Sequence, residues 1–279
     1  MMYNMKIVAD STADTTCLEG FPFSSVPLKI ITAEKEYVDD TLVDVEGMVS
    51  DLSSYKGKSS TSCPNPEDWL TSFEDYENIF CVTITKELSG SYNAAMIAKN
   101  IYEEQHPGRK VFVINSLSAG PELKLIIEKL AFYIRQGFDF EKICCEIQEY
   151  QKTTALLFVL SSMKNLANNG RVSPLVAKTV GLLGIRIVGK ASDKGDLQPL
   201  DKCRGEEKAM DTVVLRMQES GFKTGKVRIA HCFNQQAAEQ LKDKIQAIAE
   251  DVSIEIYPCG ALCSFYAEKG GLLIGFEKN

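Results

Sequence analysis

Two short runs of hydroxyl side chains hold the densest chemistry in this sequence: Ser59, Ser60, Thr61, Ser62 and Cys63 in one, Leu88, Ser89, Gly90, Ser91 and Tyr92 in the other. Each stands just before a helix-forming stretch. Pro64 stops the first run, and Asn65 to Asp68 follows as a capping sequence. In the second, glycine lets the backbone come close to a ligand. Hydroxyls beside the free amides of a helix N-terminus make a receptor for a carboxylate or phosphate. Thr61, Ser62, Ser89, Gly90 and Ser91 are therefore candidate ligand contacts. Ordinary capping uses the same residue types, and that reading stands beside the functional one. Asp10 to Asp14 forms a third polar turn, readable as part of a site or as an Asx turn satisfying its own backbone. Arg171 and Arg204, each next to a glycine in a polar segment, are the cationic candidates from the second half.

Nucleophilic catalysis would need a base within hydrogen-bond reach of a serine and a third group to orient it. The chain has two histidines, His106 and His231, and neither lies in a hydroxyl run. No phosphate-loop or dinucleotide fingerprint is present. The hydroxyl loops suit holding an anion still better than attacking anything. A small-molecule hydrolase using Ser89, or a phosphoryl-transfer enzyme acting through the same loops, remains the alternative. Nine cysteines show no zinc-type spacing, so neither a metal nor a cofactor is expected. They read as reduced thiols of a cytoplasmic protein. A formal charge of −7 without a basic block argues against nucleic acid as a partner, and no stretch reads as a signal peptide or membrane span.

The elements that must position these residues follow from periodicity. Short apolar runs at 5–9, 79–82 and 111–114 read as buried strands, each ending in a polar turn. Residues 23–31 read as one extended segment, with Pro27 marking an edge strand. Trp69 and Phe73 anchor one helix; Ala94, Ile97, Ala98 and Ile101 form the stripe of the next. Leu123, Ile126, Ile127, Leu130 and Ile134 make another, closed by Gly137, and Ile143, Ile147 and Tyr150 a fourth. Strand and helix alternate through residue 152. The fold class is therefore α/β, an N-terminal doubly wound, mostly parallel sheet domain over 1–152, with a second, smaller α+β domain over 153–279. The second is expected on a mixed or antiparallel sheet, with strands near 154–160, 185–188, 197–200, 226–231, 253–257 and 272–276. Helices are expected at 174–183, with Leu175, Thr179, Leu182 and Leu183 inward, at 205–219, and around Ala238, Leu241, Ile245 and Ile248.

The order of short motifs resembles the DegV family, bacterial fatty-acid-binding proteins that include the lipid-carrying subunit of fatty-acid kinase. The matching pieces are ADSTAD at 9–14, VPLKI with EYVDD, STSCP at 60–64, LSGSYNAA at 88–95, VINS at 113–116, NNGRVS at 168–173 and CRGEEKA at 203–209. The resemblance implies a non-catalytic carrier that buries a long-chain fatty acid in an apolar tunnel and presents its carboxylate at the domain interface to a fatty-acid kinase partner. The family's carboxylate contacts map onto Thr61 and Ser89. Where members carry a histidine in a glycine-rich C-terminal segment, this chain has Tyr266, followed by Glu268 and Lys269. A phenol donates a hydrogen bond but stays neutral at physiological pH, and Glu268 is expected to bring negative charge near the carboxylate.

Overall fold

The structure is a computed structural model and describes residues 4–174 and 184–278. Its first half runs β1 (Met5–Asp10), β2 (Phe23–Val26), β3 (Lys29–Ile31), β4 (Glu36–Val38), α1 (Val45–Ser54), β5 (Ser60–Ser62), α2 (Pro66–Phe73), β6 (Asn78–Thr83), α3 (Ser91–Gln105), β7 (Lys110–Asn115), α4 (Pro121–Arg135) and α5 (Phe140–Lys152). Four of these strands form a parallel sheet in the order β2-β1-β6-β7. Alternation along each strand divides the core in two. Val8, Ile79, Cys81, Val111 and Val113 face α2 and α3, where Trp69, Phe73, Ala94, Ala95, Ala98 and Tyr102 meet them. Ile7, Ala9, Phe80, Val82 and Ile114 face the stripes of α4 and α5. From β1 the chain goes to β2 on one side and later to β6 on the other, so the topological switch lies between the carboxyl ends of β1 and β6. Ligands of parallel sheets bind in that crevice.

Three expectations change here. The extended segment breaks at Pro27: β2 edges the parallel sheet, whereas β3 is the centre of a separate antiparallel sheet, β4-β3-β5. Part of the first hydroxyl run becomes a strand, because β5 takes its backbone partners from β3 and pairs Thr61 with Ile30. In α3 the buried stripe is Ala94, Ala95, Ala98 and Tyr102; Ile97 points outward, 50% exposed.

The second half continues with β8 (Thr154–Leu160), α6 (Lys164–Asn168), β9 (Ile185–Ala191), β10 (Leu197–Arg204), α7 (Glu206–Glu219), β11 (Gly225–His231), α8 (Gln235–Gln246), β12 (Val252–Pro258), α9 (Ala261–Ala267) and β13 (Leu272–Glu277). These strands form a six-stranded mixed sheet, β10-β9-β8-β13-β11-β12, in which β11 and β12 are parallel and the other neighbours antiparallel. One face packs on α7 and α8 through Leu157, Val159, Ile229, Ile274 and Phe276. Ile248 lies beyond α8 and is partly exposed. The expected helix at 174–183, with Leu175, Thr179, Leu182 and Leu183, falls outside the described residues apart from Pro174.

Helix α4 lies against both sheets. Gly275 permits this: a Cβ there would stand 2.6 Å from the Pro121 backbone, so any side chain would push α4 off β13. The unexpected α9 crosses back to the first half, where Ala261, Leu262 and Phe265 bury against Leu28, Ile30 and Met48.

Candidate functional site

Asp10 organises the first half of the site without lining it. Fully buried at the end of β1, it accepts hydrogen bonds from Thr12 N and Thr12 Oγ1, from Ile84 N at 2.8 Å and from Ser91 Oγ at 2.7 Å. Burial raises its pKa, while these donors hold it down. The Asx-type turn and the site-building reading of Asp10 are thus both satisfied. One carboxylate ties the 3-10 turn Ser11–Ala13 to the segment after β6 and to the first residue of α3. Ser91, a candidate ligand contact by sequence, has its hydroxyl committed to this bond and faces the interior.

With Ser91 fixed, the Ser89–Gly90 turn delivers the N-terminus of α3 to an apolar cavity of about 310 Å³. Gly90 at the cap position offers that helix end no side-chain acceptor, and Ser89 Oγ accepts from the first amide, Ser91 N, at 3.2 Å. Thr61, Ser62 and Cys63 arrive from β5, and Gly90 lets the two loops meet: a Cβ there would lie 3.0 Å from Cys63 Sγ. From the second half, Arg171 donates through Nε to the Leu88 carbonyl at 3.0 Å and through Nη1 to the Asn169 carbonyl. These two carbonyls fix its guanidinium beside the Ser89 turn. Tyr266 on α9 completes the polar end, its hydroxyl 2.7 Å from Thr61 Oγ1. Burial raises the phenol's pKa against the opposing effects of Thr61 and the Arg171 charge, so the group is neutral at physiological pH.

The rest of the wall is apolar and drawn from both halves, with Leu28, Ile84 and Leu88 on one side and Phe158, Leu160 and Leu273 on the other. Among the described lining residues Arg171 is the one charged side chain; no histidine, aspartate or glutamate reaches the cavity. Thr61, Ser62, Ser89, Gly90, Arg171 and Tyr266 are therefore brought together. Arg204 is not: it sits exposed at the end of β10, an edge strand, and the adjacent Gly205 begins α7. Glu268 also departs from expectation. Its carboxylate accepts from Ser162 Oγ at 2.8 Å and Asn165 N at 3.2 Å, so its charge serves the start of α6 and does not line the cavity.

Sequence reasoning missed most of the apolar wall. Leu156, Phe158 and Leu160 share one face of β8, but Ala155, Leu157 and Val159 on the other face are equally apolar, so no alternation marks the cavity side.

An apolar cavity at which the hydroxyls of Thr61, Ser89 and Tyr266, a helix N-terminus and one fixed guanidinium are gathered suits a long apolar molecule with an anionic head. Comparison with known proteins finds relatives that match the chain over nearly its whole length. A family sequence model described as "Uncharacterised protein, DegV family" matches residues 4–279. A DegV domain-containing protein of Streptococcus pneumoniae is 45% identical over 276 residues, covering 98% of both chains. The chain belongs to the DegV family. Two solved structures are similar throughout. A DegV family protein from Eubacterium eligens loaded with heptadecanoic acid superposes with a TM-score of 0.97 at 41% identity, covering 99% of this chain and 100% of that one. The Streptococcus pneumoniae Fatty Acid Kinase B3 protein loaded with linoleic acid gives 0.96 at 44% identity, covering 99% of each chain. Among the described residues no helix is long and apolar enough to cross a membrane.

Proposed function

We propose that this chain is a fatty-acid carrier that buries a long acyl chain in the cavity and holds its carboxylate among Thr61, Ser89, Arg171 and Tyr266. The observation that carries the reading is the distribution of charge: among the described lining residues, mostly apolar, Arg171 is the one charged side chain, and it stands beside the hydroxyl-bearing Ser89 turn. Ser62 and Gly90 shape that end. Burying a sixteen-carbon tail at about 0.8 kcal/mol per methylene supplies on the order of 10 kcal/mol before the costs of binding. A hydrolase is disfavoured, since among the described lining residues no histidine, lysine or carboxylate is present to act as a general base for Ser89.

The division into an α/β domain over 1–152 and an α+β domain over 153–279 belongs to the same proposal. It is supported by two large cores, one drawn from residues 7 to 150 and the other from 157 to 276. Similarity to the Fatty Acid Kinase B3 protein supports a finer reading, in which the bound acid is presented to a kinase subunit for phosphorylation. Nine free cysteines fit a reducing, cytoplasmic setting.

The test is mass spectrometry of organic extracts from protein purified out of a bacterial host, paired with thermal melting after delipidation. Acyl lipid should co-purify, and added palmitate should raise the melting temperature. Lipid-free preparations whose melting is unmoved by fatty acid would overturn the reading. Absence of acyl phosphate on mixing the loaded protein with kinase and ATP would remove the presentation step alone.

A further inference from the structure

Away from the polar end, the apolar cavity borders a second space. Leu156, Phe158 and Leu160 project from one face of β8 along the cavity, spanning roughly 13 Å at strand rise. Phe158 and Leu160 belong to the cluster that includes Tyr266 of the polar end, and Leu156 does not. Leu156 is therefore the far end of this row. Beside it lies a separate cleft of about 710 Å³ between the two halves, whose lining brings polar side chains, Gln151, Lys190 and Lys278 among them, up to Leu156. Glu122 is itself buried there and accepts from Thr154 Oγ1 at 2.6 Å. Among the described residues lining the two spaces, Leu156 is the single residue common to both. Leu156, 2% exposed, thus borders both the apolar cavity and the more polar cleft.

We infer that Leu156 is the end wall of the acyl cavity and sets the longest acyl chain the protein holds. This rests on the fatty-acid reading above. An alkyl chain too long for the cavity must displace Leu156 and push its terminal methylenes into the polar cleft, where they gain no burial. Below that length each added methylene is buried and raises affinity about fourfold; above it the gain stops. The cavity volume sits at the low end of the roughly 300–1,000 Å³ range of ligand pockets, so a long chain meets its walls.

The experiment is a binding series of saturated straight-chain acids, from lauric to arachidic, on the delipidated full chain and on Leu156→Val and Leu156→Ala. The valine variant removes one methylene and keeps the series readable if the alanine variant folds poorly. The parent should climb about fourfold per methylene and then break. The break should move to longer acids in Leu156→Val and further in Leu156→Ala. An ω-hydroxy acid matched to the parent's break gives a second readout. In the parent its buried hydroxyl has no partner and should cost about tenfold or more, whereas in Leu156→Ala it reaches the polar cleft and the penalty should shrink. A break at one length in all three proteins, or an ω-hydroxyl penalty unchanged by the substitutions, overturns the wall while leaving the carrier reading intact. A parent chain that takes up no acid of the series overturns both.

Discussion

The hydroxyls of Thr61 and Tyr266 lie 2.7 Å apart, so one proton is spent between them and one remains to donate to a ligand. Thr61→Val removes a donor while keeping the side chain's shape. A hydrogen bond to a charged acceptor contributes about 1.5–3 kcal/mol, so fatty-acid affinity should fall about tenfold or more in isothermal titration. Tyr266→Phe leaves the Thr61 proton for the ligand just as Thr61→Val leaves that of Tyr266, so the two substitutions should cost a similar amount. Tyr266→His exchanges a neutral phenol for a group that charges near pH 6.5, so the variant should bind fatty acid more tightly as pH falls through about 6.5. The parent should gain nothing over the same range from Tyr266, because its raised pKa keeps it neutral. Thr61 and Ser89 could be placed at the cavity from their hydroxyl-rich motifs, and Tyr266 from its position in the segment where the family carries a histidine. Ser91 and Arg204 were misplaced for local reasons. The same serine chemistry serves Asp10 in the interior, and the glycine beside Arg204 starts a helix rather than admitting a ligand.

At the scale of elements, α9 decides whether the site forms, since it carries Tyr266 across to β5. Its N-terminal amides are held by two carboxylates of the first half: Asp14 Oδ1 accepts from Gly260 N at 2.9 Å and Asp39 Oδ1 from Ala261 N at 2.7 Å. Burial raises the Asp39 pKa to about 6 against hydrogen bonds from Ser11, Ala261 and Leu262; burial and the Asp39 charge push Asp14 up as well. A carboxylate whose pKa is raised on folding binds its proton more tightly in the native state. Its contribution is therefore full below the ordinary value near 3.8 and is lost as pH rises through about 6. Asp39→Asn keeps an acceptor for Ala261 N and removes this loss, so urea midpoints of variant and parent should converge near about pH 4 and favour the variant near about pH 7. A second tie joins α4 to β11, where Glu128 receives Arg228 Nε and Nη2, both at 2.7 Å, and Lys226 at 2.8 Å. Glu128→Gln leaves Arg228 mostly buried with Glu255 at 3.3 Å as its remaining carboxylate partner, and should cost about 3 kcal/mol in denaturant unfolding. The parallel strands and the helices α4 and α5 were legible from apolar runs and clean stripes. The seven residues of α9 were not, because Ala261 to Phe265 are all buried and show no helical period. Nor was β5, which is a strand only because β3 offers it an edge.

At the scale of the whole molecule, the cavity exists only where the halves meet, its wall shared between Leu28, Ile84 and Ser89 on one side and Phe158, Arg171 and Leu273 on the other. No local pattern announces such a space, which is why the doubly wound parallel sheet and the mixed sheet were legible and the cavity wall was not. A ligand seated there binds the folded chain and not the unfolded one. It should therefore add about 2.7 kcal/mol of stability at a hundredfold excess over Kd, raising the melting temperature by several degrees over the delipidated protein. The central claim is that the polar end reads a negative charge, and the most direct measurement is the affinity of the delipidated chain for a fatty acid against that for its methyl ester. The ester keeps the tail and the carbonyl but loses the charge that Arg171 and the α3 N-terminus are placed to meet. The acid should bind about tenfold or more tightly than the ester, with most of that margin gone in Thr61→Val. Equal affinities for acid and ester in the parent would contradict the account.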